Sequence, residues 1–144
     1  MANEERERTW SRLRDQASKA LESERIQLGL VTAELEQITK ALTQLIEMKD
    51  DYQPEHKDLT DQSPFSVEKL RRTWTFVSSL EVAIRKTNQQ KIMIKKKERI
   101  IRETCLEREK EVKKYEALES RAGQKRLKAE EVKERKAPSP TYQA

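Results

Sequence analysis

The residue types that most often carry chemistry are scarce in this chain of 144 residues. His56 is its one histidine and Cys105 its one cysteine. A His-dependent triad or a His-rich metal site could therefore form only across chains. His56 lies in a polar stretch after Pro54 and is expected to be a solvated loop residue. Cys105 falls on an apolar stripe, where a thiol packs as a small hydrophobe. A single cysteine also excludes an internal disulfide framework. The two glycines, Gly29 and Gly123, cannot make a phosphate-cradling loop. The many Glu and Lys residues at helical spacing are solvated helix faces rather than acid–base dyads. The expectation is a protein that is not an enzyme, with no cofactor and no metal, whose function is contact.

The elements that must present those contacts are two long heptad runs. In residues 10–52, Leu21, Leu28, Leu35 and Leu42 share one core position. Trp10, Ala17, Val31, Ile38, Leu45 and Tyr52 share the other. In residues 70–115, Leu70, Val77, Ile84, Cys105 and Val112 fall at one position and Leu80, Ile94, Ile101 and Tyr115 at the other. Alternating steps of three and four keep one seam of a helix facing a partner. Two seams on one chain predict an all-α fold, a long two-helix antiparallel coiled-coil hairpin. Residues 1–136 form it, with helix 1 about 4–53, a connection over 54–65 and helix 2 about 65–136. Residues 137–144 are expected to be a disordered tail, because Pro138 and Pro140 end the helix.

Composition agrees. Charged residues make up 40% of the chain and hydrophobic ones 34%, the balance of helices that bury one stripe each. No stretch approaches the roughly 18 apolar residues of a membrane span. The polar start, residues 1–8, lacks a signal-peptide core, so a cytoplasmic protein is expected. Residues 1–65 carry 9 Lys/Arg against 14 Asp/Glu, whereas residues 66–144 carry 22 against 12. An acidic first helix beside a basic second one favours pairing within the chain.

Irregularities in the seams are as informative as the seams. Arg14, Glu24 and Lys49 interrupt the first, and Lys91, Glu98, Arg108, Glu119 and Arg126 the second. Such residues weaken pairing locally and can fix register. Pro54 disfavours helix at Gln53 and should end helix 1 there. Ser63 before Pro64 reads as an N-cap, with Ser66 competing. At about 1.5 Å per residue, helix 2 outruns helix 1, leaving about 20 residues at its C-terminal end without a full partner. That region, 118–136, is basic, with Arg121, Lys125, Arg126, Lys128 and Lys133.

Near the connection, helix 2 carries more large apolar groups than one seam uses. Trp74 and Val77 accompany a stripe of Phe76, Leu80, Ala83 and Thr87 at spacings of four, three and four. Leu45, Met48 and Tyr52 of helix 1 should lie opposite. Exposed apolar patches of this kind usually mark an interaction site. The plainer alternative is thicker packing near the turn.

These same residues carry a resemblance. Leu42-x-x-Leu45-x-x-Met48-x-x-x-Tyr52, a loop, then Phe76-x-x-x-Leu80-x-x-Ala83-Ile84 resembles the flagellar FliJ family and its type III secretion counterparts. Met48 stands where that family often has a tyrosine, and Thr87 where a polar ring or amide can occur. The resemblance implies a central-stalk protein of the flagellar export apparatus, cytoplasmic and peripherally associated with the inner membrane. Its partners would be a hexameric export ATPase and the cytoplasmic domain of an export-gate membrane protein, with export chaperones a further class. It implies Phe76, Leu80, Ala83, Thr87, Leu45, Met48 and Tyr52 as the gate-facing set. It implies Trp10, Leu13, Arg121, Lys125, Arg126, Lys128 and Lys133 as the ATPase-facing set.

Two other functions compete. A generic coiled-coil scaffold or dimer would need only the seams. Nucleic-acid binding would use Lys95-Lys96-Lys97-Glu98-Arg99, but acidic residues are interleaved through the chain and no aromatic alternates with the basic run. No specific nucleic acid is therefore expected as a partner.

Overall fold

In the computed structural model the chain is all-α, two long helices packed against each other as a hairpin. Helix α1 spans Ala2–Asp58 and α2 spans Pro64–Lys136. The structure describes these spans, with side chains for residues 2–52 and 67–136. His56, the caps at Ser63 and Ser66, and the tail 137–144 lie outside the described side chains or residues.

Both boundaries of α1 differ from expectation. The helix starts at Ala2, and Glu4 and Glu5 in its first turn complement the helix dipole. The Thr9 hydroxyl donates to the Glu5 carbonyl at 2.8 Å within this first stretch of helix. At the other end α1 passes Pro54 and closes at Asp58. A proline so near a helix C-terminus deletes one backbone hydrogen bond without preventing a last turn. Helix α2 begins at Pro64, where a missing N–H removes nothing because first-turn amides lack helical partners.

The chain groups into two units, each built from both helices: residues 1–26 with 102–144, and residues 27–101. In the first, the terminal unit, Ala17, Leu21, Cys105 and Ala122 are buried. In the second, the turn unit, Val31 and Leu80 are buried, at 2% and 6% exposure. All six are seam positions. The remaining seam residues, among them Leu28, Leu35, Ile38, Leu42, Ile84 and Ile94, are half-buried, as in any pair of helices without a third layer.

The pairing is antiparallel in both units. In the terminal unit Glu7 meets Arg126, Arg14 meets Glu119 and Arg25 meets Glu109. In the turn unit Lys49 meets Glu81 and Tyr52 meets Phe76. Threonines inside the helices keep their hydroxyls satisfied by back-bonding. Thr32 donates to Leu28 O at 2.8 Å and Thr39 to Leu35 O at 2.7 Å.

Candidate protein-interaction surfaces

In the terminal unit the two helices leave a different groove on each side of the seam. One groove, about 300 Å³, has Trp10, Leu118 and Ala122 as its floor and Asn3, Arg6, Arg121 and Lys125 around it. Its charged groups are all cationic. The Trp10 ring stacks against Tyr115, with centroids 6.2 Å apart and planes 24° from parallel, and Lys114 lies 5.7 Å from the Tyr115 ring centre. Seam packing therefore fixes the tryptophan, while the cations beside it face solvent.

The opposite groove, about 370 Å³, is lined by Glu4, Glu7, Arg8, Ser11, Glu119 and Arg126. It carries both signs of charge, and Glu7, Glu119 and Arg126 are held in ion pairs. Arg126 donates to Glu7 at 2.6 Å and to Glu130 at 3.2 Å. Arg14 donates to Glu119 and Asp15. The hydrogen bond to Asp15, then the charge of Glu119, raises the Arg14 pKa, and Glu7 does the same for Arg126. A cation with a raised folded pKa keeps its contribution below the unfolded pKa and loses it only as pH rises through the folded one. For arginine both values are strongly alkaline, so neither pair is a switch near neutrality.

The residues expected to face an ATPase divide accordingly. Trp10 and Leu13 are half-buried; Arg121, Lys125, Lys128 and Lys133 are exposed. Arg126 is held by two carboxylates and serves the helix pair. The unpartnered end is also shorter than expected. Ala122 is buried and Glu119 and Arg126 pair with α1, so the wholly exposed stretch begins at Leu127. The difference follows from register: Glu7 sits opposite Arg126, so the first turns of α1 cover α2 well beyond residue 118. Sequence patterning missed Arg6 and Leu118. Leu118 carried a usable signal, being three residues after Tyr115 and four before Ala122.

In the turn unit, Phe76 packs on Tyr52 with ring centroids 4.6 Å apart and planes at 49°. Leu45, Tyr52, Leu80 and Thr87 occupy seam positions and are buried or half-buried. Met48, Phe76 and Ala83 each precede a seam position by one residue and so flank it on one edge. Of these Met48 and Phe76 offer surface, at 42% and 37% exposure. On the other edge Val67, Leu70, Arg71 and Trp74 line a shallow hollow of about 270 Å³. The seven residues expected to meet a gate thus comprise an internal set and an exposed edge.

Among the described residues no group of three His, Cys, Asp or Glu side chains could hold a metal ion. No described helix is long and apolar enough to cross a membrane. The family model of the flagellar FliJ protein matches residues 8–137. The chain belongs to the FliJ family. No curated protein and no solved structure matches it. FliJ membership implies a stalk protein of the flagellar export apparatus, a non-enzymatic export component. Both helices fall within the matched FliJ region almost completely, as do both grooves of the terminal unit apart from residues 3–7.

Proposed function

We propose that this protein is the stalk that couples the export ATPase to the export gate. The terminal unit enters the central opening of the hexameric ATPase, and the exposed edge of the turn unit meets the gate's cytoplasmic domain. It works in the cytoplasm, peripherally at the inner membrane. The observation that most supports this is the unequal pair of grooves in the terminal unit. The groove over Trp10 joins an apolar floor to Arg6, Arg121 and Lys125, whereas the opposite one carries both signs of charge, with Glu7, Glu119 and Arg126 held in ion pairs. A helix pair with one cationic side can be seated by acidic loops of a ring in one orientation. Lys128 and Lys133 extend the same positive charge along α2.

At the turn unit, Met48 and Phe76 are the side chains a gate could reach without opening the seam. Leu80, Tyr52, Leu45, Ala83 and Thr87 support that edge from below or beside it. Pull-down of the full chain with the ATPase hexamer and with the gate's cytoplasmic domain separates the two contacts. Met48→Ala with Phe76→Ala should weaken gate capture and spare ATPase capture. Equal loss of both, or of neither, would remove the two-surface assignment.

A further inference from the structure

We infer that the outer face of α2 from Gln89 to Ile100 docks an acidic amphipathic helix of a partner protein. Ile92, Met93 and Ile100 stand one or two residues past seam positions and point away from α1, at 49%, 70% and 60% exposure. Met93 and Ile100 are seven residues apart, one above the other on the helix surface. Between Glu81 and Glu98 the sequence holds no acidic residue. Lys95, Lys96, Lys97 and Arg99 are exposed and make no ion pair among the described residues. Elsewhere, Arg14, Arg25, Lys49, Arg108 and Arg126 each have a carboxylate. The face therefore combines apolar knobs with uncompensated positive charge.

Its geometry selects the occupant. Lys96 lies between Ile92 and Ile100 on the same face, one turn from each. A lipid surface could bury those isoleucines only by drawing the ammonium toward hydrocarbon. A helix with carboxylates beside its own apolar seam can pair Lys96 and Lys97 while packing on Met93 and Ile100. Nucleic acid would satisfy the charge but has little use for three aliphatic side chains, and no aromatic residue occurs between Phe76 and Tyr115 to stack on bases. The face contains none of the residues assigned above to the gate or the ATPase, so it stands or fails independently of both.

The test is calorimetric titration of the full chain with a synthetic helix of about three heptads, leucine in its seam and glutamate on its flanks. Binding should appear at low salt and weaken steeply as salt rises. Ile92→Ser with Met93→Ser, and separately Lys96→Glu with Lys97→Glu, should each weaken it by about tenfold or more. All four positions are exposed, so circular dichroism should show unchanged helix content. Absence of binding would overturn the inference. So would equal binding of a lysine-flanked helix, indifference to both double variants, or displacement of the peptide by phosphatidylglycerol vesicles or duplex DNA.

Discussion

Arg14 of α1 hydrogen-bonds to Glu119 of α2, and one heptad away along both helices Glu7 and Arg126 meet with the signs exchanged. All four residues occupy the same type of seam position. A slip of one heptad in one direction would place Glu7 opposite Glu119; in the other it would place Arg14 opposite Arg126. Apolar seam residues tolerate such slips, but like charges half-buried in the seam do not. The crossed pairs therefore select register at the terminal unit, where the helices are farthest along the chain from their connection.

Exchanging the charges tests that directly. Arg14→Glu alone should lower the melting temperature, and adding Glu119→Arg should recover most of the loss. The recovery should shrink in high salt, because both side chains are partly open to solvent. Thermal denaturation of wild type, two single variants and the double variant measures the coupling.

Burial predicts the graded response of apolar positions. Leu80→Ala should cost about 2–5 kcal/mol, since it empties a seam site that is 6% exposed. Leu30→Ala, on an exposed face of α1, should stay within about 0.5 kcal/mol. Urea unfolding followed by circular dichroism would show both. It follows that Leu80 variants are poor probes of gate binding, because a weakened helix pair would mimic a lost contact.

The two glycines should respond unequally. A Cβ at Gly29 meets nothing within 4 Å, so Gly29→Ala should stabilise the chain by up to about 1 kcal/mol. At Gly123 the added carbon would come to 3.2 Å from Oε1 of Glu7, the carboxylate that holds Arg126. Gly123→Ala should gain less than Gly29→Ala, because Glu7 must shift to admit it. The difference between their melting temperatures is the readout.

What the sequence disclosed here and what it withheld have separate physical causes. Steps of three and four, from Ala17 to Leu21 and from Leu28 to Val31, and the matching step from Ile101 to Cys105, are local properties, so both helices and their seam were legible. The polar interruptions at Arg14, Glu119 and Arg126 were equally visible. Their pairing was not, because which residue faces which depends on a register set over more than a hundred residues of separation. The same ignorance made the unpartnered basic end seem longer than it is. At the turn unit, one apolar stripe resolved into buried Leu80 and exposed Phe76 once the seam's position was fixed. The groove over Trp10 needed both helices at once: Arg6 and Lys125 become neighbours only when α1 and α2 lie together.

An exposed edge and an internal set should also separate in gate binding. Met48→Ala should reduce affinity for the gate's cytoplasmic domain while leaving the melting temperature almost unchanged. Phe76→Ala should reduce affinity and also lower stability slightly, because it leaves Tyr52 without its ring contact. Paired affinity and melting measurements on the two variants distinguish these behaviours.

The stalk assignment rests most heavily on the cationic groove of the terminal unit. Its most direct test is the affinity of the full chain for the hexameric export ATPase, measured by surface plasmon resonance for wild type and for Arg121→Glu with Lys125→Glu. Both positions are exposed, so helix content should not change. The double variant should lose about tenfold or more in affinity, while Met48→Ala with Phe76→Ala should bind as wild type does. Undiminished ATPase binding by the groove variant, or loss of it in the turn-unit variant, would rule out the terminal unit's cationic groove as the ATPase contact.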